Sequence, residues 1–309
     1  MTAPHRLSMS DAPRIASYSL HDPARPEIEI AQAEHRIELV RRWGDAVIAP
    51  GSRVLEIGCG QGNATAVLAE AVGEGGSVDA VDPAPPDYGS PYTLAQAQSH
   101  LSANPVVGGR ITWHRATPES FLEQTLADGQ IWDVAVLAHC IWYFASPAVL
   151  AAILSALRGR VQRVCIAEYA LQATEPAGVP HVLATLATGM LEGSKPEGQS
   201  EGNIRSPMGP AAIAEVAAKA GWTEQPLEEE EGGSTNIVVP RAGLLDGSWE
   251  AGFVVSEDFA QEIEEHVTDD RVKVVLRSAQ EATVAAVRGL GEKRIKGVRT
   301  MDVWVSVFI

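Results

Sequence analysis

The apolar run Val54-Leu55-Glu56-Ile57 enters Gly58-Cys59-Gly60-Gln61-Gly62, three glycines at alternate positions with an acid two residues before the first. Side chains at those positions would hold a ligand away from the backbone, and glycine tolerates the φ > 0 turn by which a strand reverses into a helix. Asn63 to Val72, closed by Gly73, has the composition and stop signal of that helix. The three pieces predict a nucleotide-like cofactor at the end of a parallel strand. Glycine runs also occur in ordinary turns, so the prediction needs a second element.

A second strand, Ser77 to Val81, supplies it by ending in Asp82-Pro83. This puts a carboxylate roughly 20 residues after the glycines, where α/β nucleotide sites hold a ribose hydroxyl. The dinucleotide fingerprint is G-x-G-x-x-G, shaped for a pyrophosphate on a helix N-terminus. Here the spacing is G-x-G-x-G, and Glu56 would repel a phosphate. A cationic ligand with an amino group and no phosphate suits that acid better. In these residues the chain resembles the class I S-adenosylmethionine-dependent methyltransferases, whose first motif is an acid followed by G-x-G-x-G and whose second strand ends in an acid.

The resemblance spans about residues 30 to 170 and implies S-adenosylmethionine as cofactor. By the same resemblance, Glu56, Gly58, Cys59, Gly60 and Gly62 face its methionyl part, and Asp82 with Pro83 holds the ribose. Family members commonly carry an acid and then alanine after the third strand. Arg115 stands in place of that acid, which leaves Ala116 and Thr117 to meet the adenine through backbone groups. Ala138, at the end of the fourth strand, falls beside the reacting methyl.

Apolar stretches alternate with helical patterns: strands at 53–57, 77–81, 110–114, 132–138 and 162–168, and helices at 63–72, 92–103, 118–127 and 147–157. Near-continuous apolar strands separated by helices predict an α/β fold, a doubly wound, mostly parallel sheet covered on both faces. The resemblance implies seven strands in a Rossmann-like methyltransferase fold, the last of them antiparallel and inserted between its neighbours. Residues 1–27 form a Pro-rich, irregular arm, and 28–309 a single domain that begins with a helix to Ile48. Helices are expected at 180–191, 210–220 and 257–288, with a loop over 193–198, a polar strand near 223–230 and an extended piece near 235–240. A final strand occupies 301–309. Residues 241–298 then form a helical insertion before that strand, in the manner of a substrate lid.

A net charge of -16, from 24 Lys and Arg against 40 Asp and Glu, opposes binding to a phosphate backbone. Lys293, Arg294, Lys296 and Arg299 are expected to be a solvated turn, and Glu228 to Glu231 a solvated edge or loop. No apolar run approaches the roughly 18 residues of a membrane span, and the N-terminus lacks a signal-peptide core, so a cytoplasmic protein is expected. Cys59, Cys140 and Cys165 lie in apolar segments without C-x-x-C spacing, and the histidines lack an i, i+4 pair, so no metal is expected.

Candidate chemistry lies at strand ends, since ligands of open α/β sheets sit outside the carboxyl edge. The fourth strand runs into His139-Cys140-Ile141-Trp142-Tyr143-Phe144. His139 is a candidate base with an intrinsic pKa suited to neutral pH, and a packed structural histidine is the alternative. Trp142, Tyr143 and, at the end of strand five, Glu168 are candidate substrate contacts. Tyr18 and His35 either close over the cofactor or pack. The expected activity is methyl transfer to an O, N or S nucleophile of a small molecule, with no nucleic-acid or membrane partner. A non-methylating member of the fold and a protein methyltransferase are the alternatives.

Overall fold

A computed structural model describes residues 7–127, 129–196, 199–200, 202–227, 236–240 and 247–309. Helices α1 (Ala12–Ala16) and α2 (Pro26–Trp43) precede β1 (Arg53–Ile57), α3 (Asn63–Val72), β2 (Ser77–Val81), α4 (Leu94–Ser102) and β3 (Ile111–His114). Then come α5 (Pro118–Ala127), β4 (Val134–Ala138), α6 (Pro147–Leu157), β5 (Arg163–Tyr169), α7 (Val179–Ser194) and α8 (Pro210–Lys219). Two short strands, β6 (Glu224–Gln225) and β7 (Ile237–Val238), lead to α9 (Ser248–Val254), α10 (Glu257–His266), α11 (Asp270–Gly289) and the last strand, β8 (Val303–Phe308).

The sheet order is β3-β2-β1-β4-β5-β8-β6, with β7 also paired to β8. Strands β1 to β5 are parallel, so all five carboxyl ends meet at one edge. Strand β8 runs antiparallel between β5 and β6. β6 pairs with Phe308 and Val307, β7 with Trp304 and Val303, so the two are pieces of one edge position and the sheet has the expected seven.

Alternation within strands divides the core. Val134 and Val136 of β4, with Val303, Val305 and Val307 of β8, face α2 and α3 through Ile37, Val40, Trp43, Val67 and Leu68. Ala135, Leu137, Trp304 and Phe308 face the other way, onto Leu122 of α5, Ile153 and Leu154 of α6 and Ile213 of α8. Complete burial of each such aliphatic side chain stabilises the fold by about 1.5–3 kcal/mol. Both faces are therefore sealed, which leaves chemistry to the strand ends, and open α/β sheets place their ligands at the carboxyl ones.

The helices after β5 form a core of their own. Ala184, Ala187 and Leu191 of α7 pack with Ala251 and Val254 of α9, Phe259 and Ile263 of α10, and Leu276 and Val287 of α11. Trp142, Ile204 and Met301 join this unit to the sheet. No helix among the described residues is long and apolar enough to cross a membrane.

Several expectations shift. The N-terminal arm is helical over Met9–Asp11 and Ala12–Ala16, because Ala12, Ile15 and Tyr18 find a buried seat on the α2–α3 face; residues 1–6 lie outside the described residues. Helix α2 starts at Pro26 and stops at Trp43, where Gly44 adopts φ 104. The helix expected over 257–288 is two, broken at Val267; Asp269 restarts the chain as an N-cap, accepting from the Arg271 N–H at 2.8 Å. Helix α9 falls inside the helical segment expected over 241–298, although no separate helix is expected there. The polar strand is present as β6 over Glu224–Gln225, while its last residues, Glu228 to Glu231 and part of the 193–198 loop lie outside the described residues. The basic turn at 291–297 is exposed at Lys293, Arg294 and Lys296.

Candidate active site

The glycine loop is shaped from both sides. Gly58, Gly60 and Gly62 all have positive φ, at 75°, 53° and 94°. A Cβ on Gly58 would lie 2.4 Å from the Cys140 Cβ, and one on Gly62 would lie 2.8 Å from Leu101 and from Trp113. These two glycines press the loop onto the protein. At Gly60 a Cβ would meet nothing within 4 Å, so here the loop borders open space. The Gly60 N–H donates to Asp82 Oδ2 at 2.8 Å, the Ala84 N–H to Oδ1 at 2.9 Å, and Gln98 Nε2 to the Gly60 carbonyl at 2.9 Å. Asp82 thus ties the end of β2 to the loop after β1, and Pro83 beside it is exposed.

Glu56 lies beneath this loop, 2% exposed, accepting from Thr65 Oγ1 at 2.6 Å. Burial pushes its pKa up to about 7; the Thr65 hydroxyl opposes that, nearby Asp82 adds to it, and the Arg36 guanidinium opposes it. Burial also drives the Cys59 and Cys140 thiols well above the ordinary range, so neither is a thiolate at neutral pH. All three cysteines are free.

At the end of β3 the structure gives local explanations for expected residues. His114 Nε2 bonds Asp79 Oδ1 at 2.8 Å. The Thr117 hydroxyl accepts from the Ser120 N–H at 3.2 Å as helix α5 begins, and Ala116 packs partly into the core beside it.

The densest cluster follows β4. Ala138 is half-buried at the strand end, and His139 turns the chain with φ 56, a left-handed conformation that a non-glycine residue holds only when its surroundings fix it. His139 Nε2 lies 2.8 Å from Nε2 of His35 on α2, and its Nδ1 lies 3.6 Å from Glu168 Oε1. Glu168, 1% exposed, accepts the Ile141 N–H at 2.9 Å and the Tyr169 N–H at 3.0 Å. It faces His139 from within the protein. Burial pulls both imidazoles below their ordinary pKa, His35 well below with His139 and Arg36 adding to the fall, while Glu168 partly restores His139. Both are neutral at pH 7.

Tyr169 stacks in the middle, its ring centroid 4.6 Å from that of His139, 5.3 Å from Trp142 and 5.1 Å from His181. Trp142 is buried and donates its indole N–H to the Met208 carbonyl at 3.0 Å, which makes it a wall. Tyr143 is exposed. Tyr18 packs against Arg14 and Glu70, away from this cluster.

A family model described as a methyltransferase domain matches residues 54–160. Two proteins of Diaporthe leptostromiformis, methyltransferase phomM' and methyltransferase phomM, are 31% and 30% identical over 286 and 287 residues, covering 81% of this chain and 71% of each relative. The chain belongs to the class I S-adenosylmethionine-dependent methyltransferases. S-adenosylmethionine is the cofactor of this methyltransferase, and the strand order and antiparallel β8 are those of its family's fold. A solved structure, the cyclopropane-fatty-acyl-phospholipid synthase-like protein from Lactobacillus casei, is 29% identical, covers 97% of this chain and 99% of its own, and superimposes with a TM-score of 0.79.

Three residues of the site escaped the sequence reading. Arg36 lies on the face of α2 that also carries Gln32, Val40 and Trp43; its guanidinium bonds Gln32 and stands among Tyr169, Glu29 and Glu56. The i, i+4 step from Arg36 to buried Val40 was the available signal. His181, in the first turn of α7, accepts the Met301 N–H at Nδ1 at 3.1 Å, so Nε2 carries its proton, 3.8 Å from Glu250 of α9. Only the tertiary fold brings His181 and Glu250 to Tyr169.

Proposed function

We propose that this methyltransferase alkylates an O, N or S nucleophile of a small molecule, and that His139 takes up the proton the nucleophile loses. The carrying observation is the buried, neutral His139 at the end of β4, oriented through Nδ1 by Glu168. A neutral imidazole beside a buried carboxylate is poised to accept a proton, and the carboxylate stabilises the imidazolium that forms.

The cofactor supplies a methyl group on a positively charged sulfur. The residues present fit it: a glycine loop open at Gly60, acids on one side and a cation on the other. The loop from Gly58 through Cys59 and Gly60 to Gly62 would pass along the methionyl part, with Glu56 beneath, and Asp82 and Pro83 would border the ribose. Ala116 and Thr117 would line the adenine, and Ala138 the reacting end. Arg36, whose described hydrogen bond is to a neutral amide, would meet the carboxylate. Glu29 and Glu56 keep that cation from being surplus.

Tyr169, Trp142 and exposed Tyr143 would wall the acceptor side, with Glu168 acting through His139 and the helical unit of α9 to α11 covering the approach. The Lactobacillus relative is named for a lipid-modifying enzyme. His139, His181, Tyr169, Glu168 and Glu250 give this site a polar lining, which favours a protic nucleophile over a hydrocarbon. Incubation with S-adenosylmethionine and a panel of phenols, thiols and amines, read as S-adenosylhomocysteine release, tests the reading. Turnover that His139→Asn abolishes supports it, and full turnover in His139→Asn refutes the role of His139.

A further inference from the structure

His35 and His139 share one hydrogen bond between like atoms, Nε2 to Nε2, at 2.8 Å. Each neutral imidazole has one N–H and one lone pair, so one ring donates across this contact and the other accepts. Glu168 decides which. A bare Nδ1 on His139 would set a lone pair against the buried carboxylate 3.6 Å away, whereas an Nδ1–H is attracted to it. His139 therefore carries its proton on Nδ1, its Nε2 accepts, and His35 donates from Nε2. The lone pair expected of His139 as a base is occupied. The one lone pair of the dyad still open is Nδ1 of His35, which no described residue bonds.

We infer that His35 is the proton entry of this site and His139 its proton sink. This deepens the proposed role of His139 and rests on it. As the nucleophile X bonds to the methyl carbon, its X–H bond breaks and the proton forms an N–H at His35 Nδ1. In concert the His35 Nε2–H bond breaks and that proton joins His139 Nε2. His35 ends neutral in its other tautomer, and His139 ends as an imidazolium facing Glu168. One proton enters the dyad and none is lost.

The groups facing the dyad agree with this direction of transfer. Arg36 disfavours positive charge on both rings, yet only His139 has a carboxylate against it. Tyr169, in ring contact with His139, is held neutral by burial. Charge deposited on the dyad belongs on His139. Arrival of His35 from α2, through a helix whose Trp43 is anchored to the Ile166 carbonyl at 3.1 Å, ties the N-terminal helix to the chemistry of β4 and β5.

The test uses the full chain with 15N-labelled histidine and two variants, His35→Gln and His139→Asn. Glutamine keeps an amide donor toward His139 but cannot relay a proton, and a melt with S-adenosylhomocysteine checks that each variant is folded. Ring-nitrogen shifts near pH 7 are expected to place the N–H of His139 on Nδ1 and that of His35 on Nε2. On acidification both rings should move in one coupled step, while in His35→Gln His139 titrates alone at a different pH. Where the phenol, thiol and amine panel gives turnover, His35→Gln should lower kcat by about tenfold or more with the KM for S-adenosylmethionine nearly unchanged. Its proton inventory in mixed H2O and D2O should change from curved, two protons moving, to linear. An N–H on His139 Nε2, or His139 titrating identically in both proteins, overturns the relay. Loss of turnover in His139→Asn with full turnover in His35→Gln overturns the relay alone. Full turnover in His139→Asn overturns the underlying base role.

Discussion

Replacing Glu56 by glutamine should stabilise the protein at alkaline pH and weaken its hold on the cofactor. Glu56 is fully inside, its one described hydrogen bond comes from Thr65, and its pKa is pushed from 4.5 to about 7. An acid with a raised folded pKa binds its proton more tightly in the native state, so stability falls as pH rises from the unfolded pKa through the folded one. For this shift the loss is about 1.4 kcal/mol by pH 5.5 and about 3 kcal/mol by pH 8.5, relative to a side chain that stays neutral. Glutamine is nearly isosteric, stays neutral, and its carbonyl oxygen can still accept from Thr65. Thermal melts of the cofactor-free protein should therefore show Glu56→Gln ahead of wild type, more so at pH 8.5 than at pH 5.5. At about 1.5 °C per kcal/mol for a chain of this length, the lead should widen by about 3 °C.

Calorimetry with S-adenosylmethionine should show the opposite sign, a loss of about tenfold or more, because the buried negative charge has its use only when a cation arrives. A lead of equal size at both pH values would refute the raised pKa. Unchanged affinity would refute the electrostatic role.

The glycine loop offers a paired contrast: Gly58→Ala should unfold or severely destabilise the chain because its Cβ has no room beside Cys140, whereas Gly60→Ala should cost about 1 kcal/mol of backbone strain in a melt and lose most cofactor-induced stabilisation. Arg36→Gln should weaken S-adenosylmethionine binding by about 10–100-fold in calorimetry, with the cofactor-free melt little changed, and equal affinity would remove Arg36 from the carboxylate. Asp82→Ala frees the Gly60 and Ala84 N–H groups and should weaken binding in the same assay, with faster hydrogen exchange at the 58–62 loop as the sign that the anchor is gone.

What was legible in the chain follows from the range of the forces involved. Strands β1 to β5 and the helices between them stand within a few residues of expectation, because burial on two faces writes an unbroken apolar run and each crossover writes a 3.6 period. Gly58 to Gly62 and Asp82 were legible for a similar reason, since backbone conformation and strand ends act within a few residues. The bounds of helix α9 and the break at Val267 were not. That unit packs around Phe259 and Leu276, contacts made across sequence, and its periodicity does not reveal where a helix stops for another to pass. His181 and Glu250 were hidden in the same way, being 69 positions apart and brought together beside Tyr169 by the tertiary fold.

Helix α2 shows where a reading confined to strand ends goes astray. The rule that ligands sit outside the carboxyl edge points to Glu56, Asp82, His139 and Glu168, which the structure gathers at that edge, and every acid in that set is supplied by the sheet or the residue after it. A methyl donor with an α-amino and an α-carboxylate group needs the opposite charge as well. Among the described residues Arg36 stands among Glu29, Glu56 and Tyr169 with a hydrogen bond to Gln32, and it reaches the edge from a helix that precedes the first strand. His35, its neighbour in sequence, reaches His139 from the same helix. Adjacent helical residues diverge by about 100°, so in the proposed site one turn of α2 would serve two ends: a cation toward the cofactor side and an imidazole toward the acceptor side. A shift of α2 along its axis by one residue, about 1.5 Å, would break both contacts together. If Arg36 and His35 act as proposed, the seat of this helix, set by Ile37, Val40 and Trp43 against the sheet, governs cofactor binding and proton transfer at once.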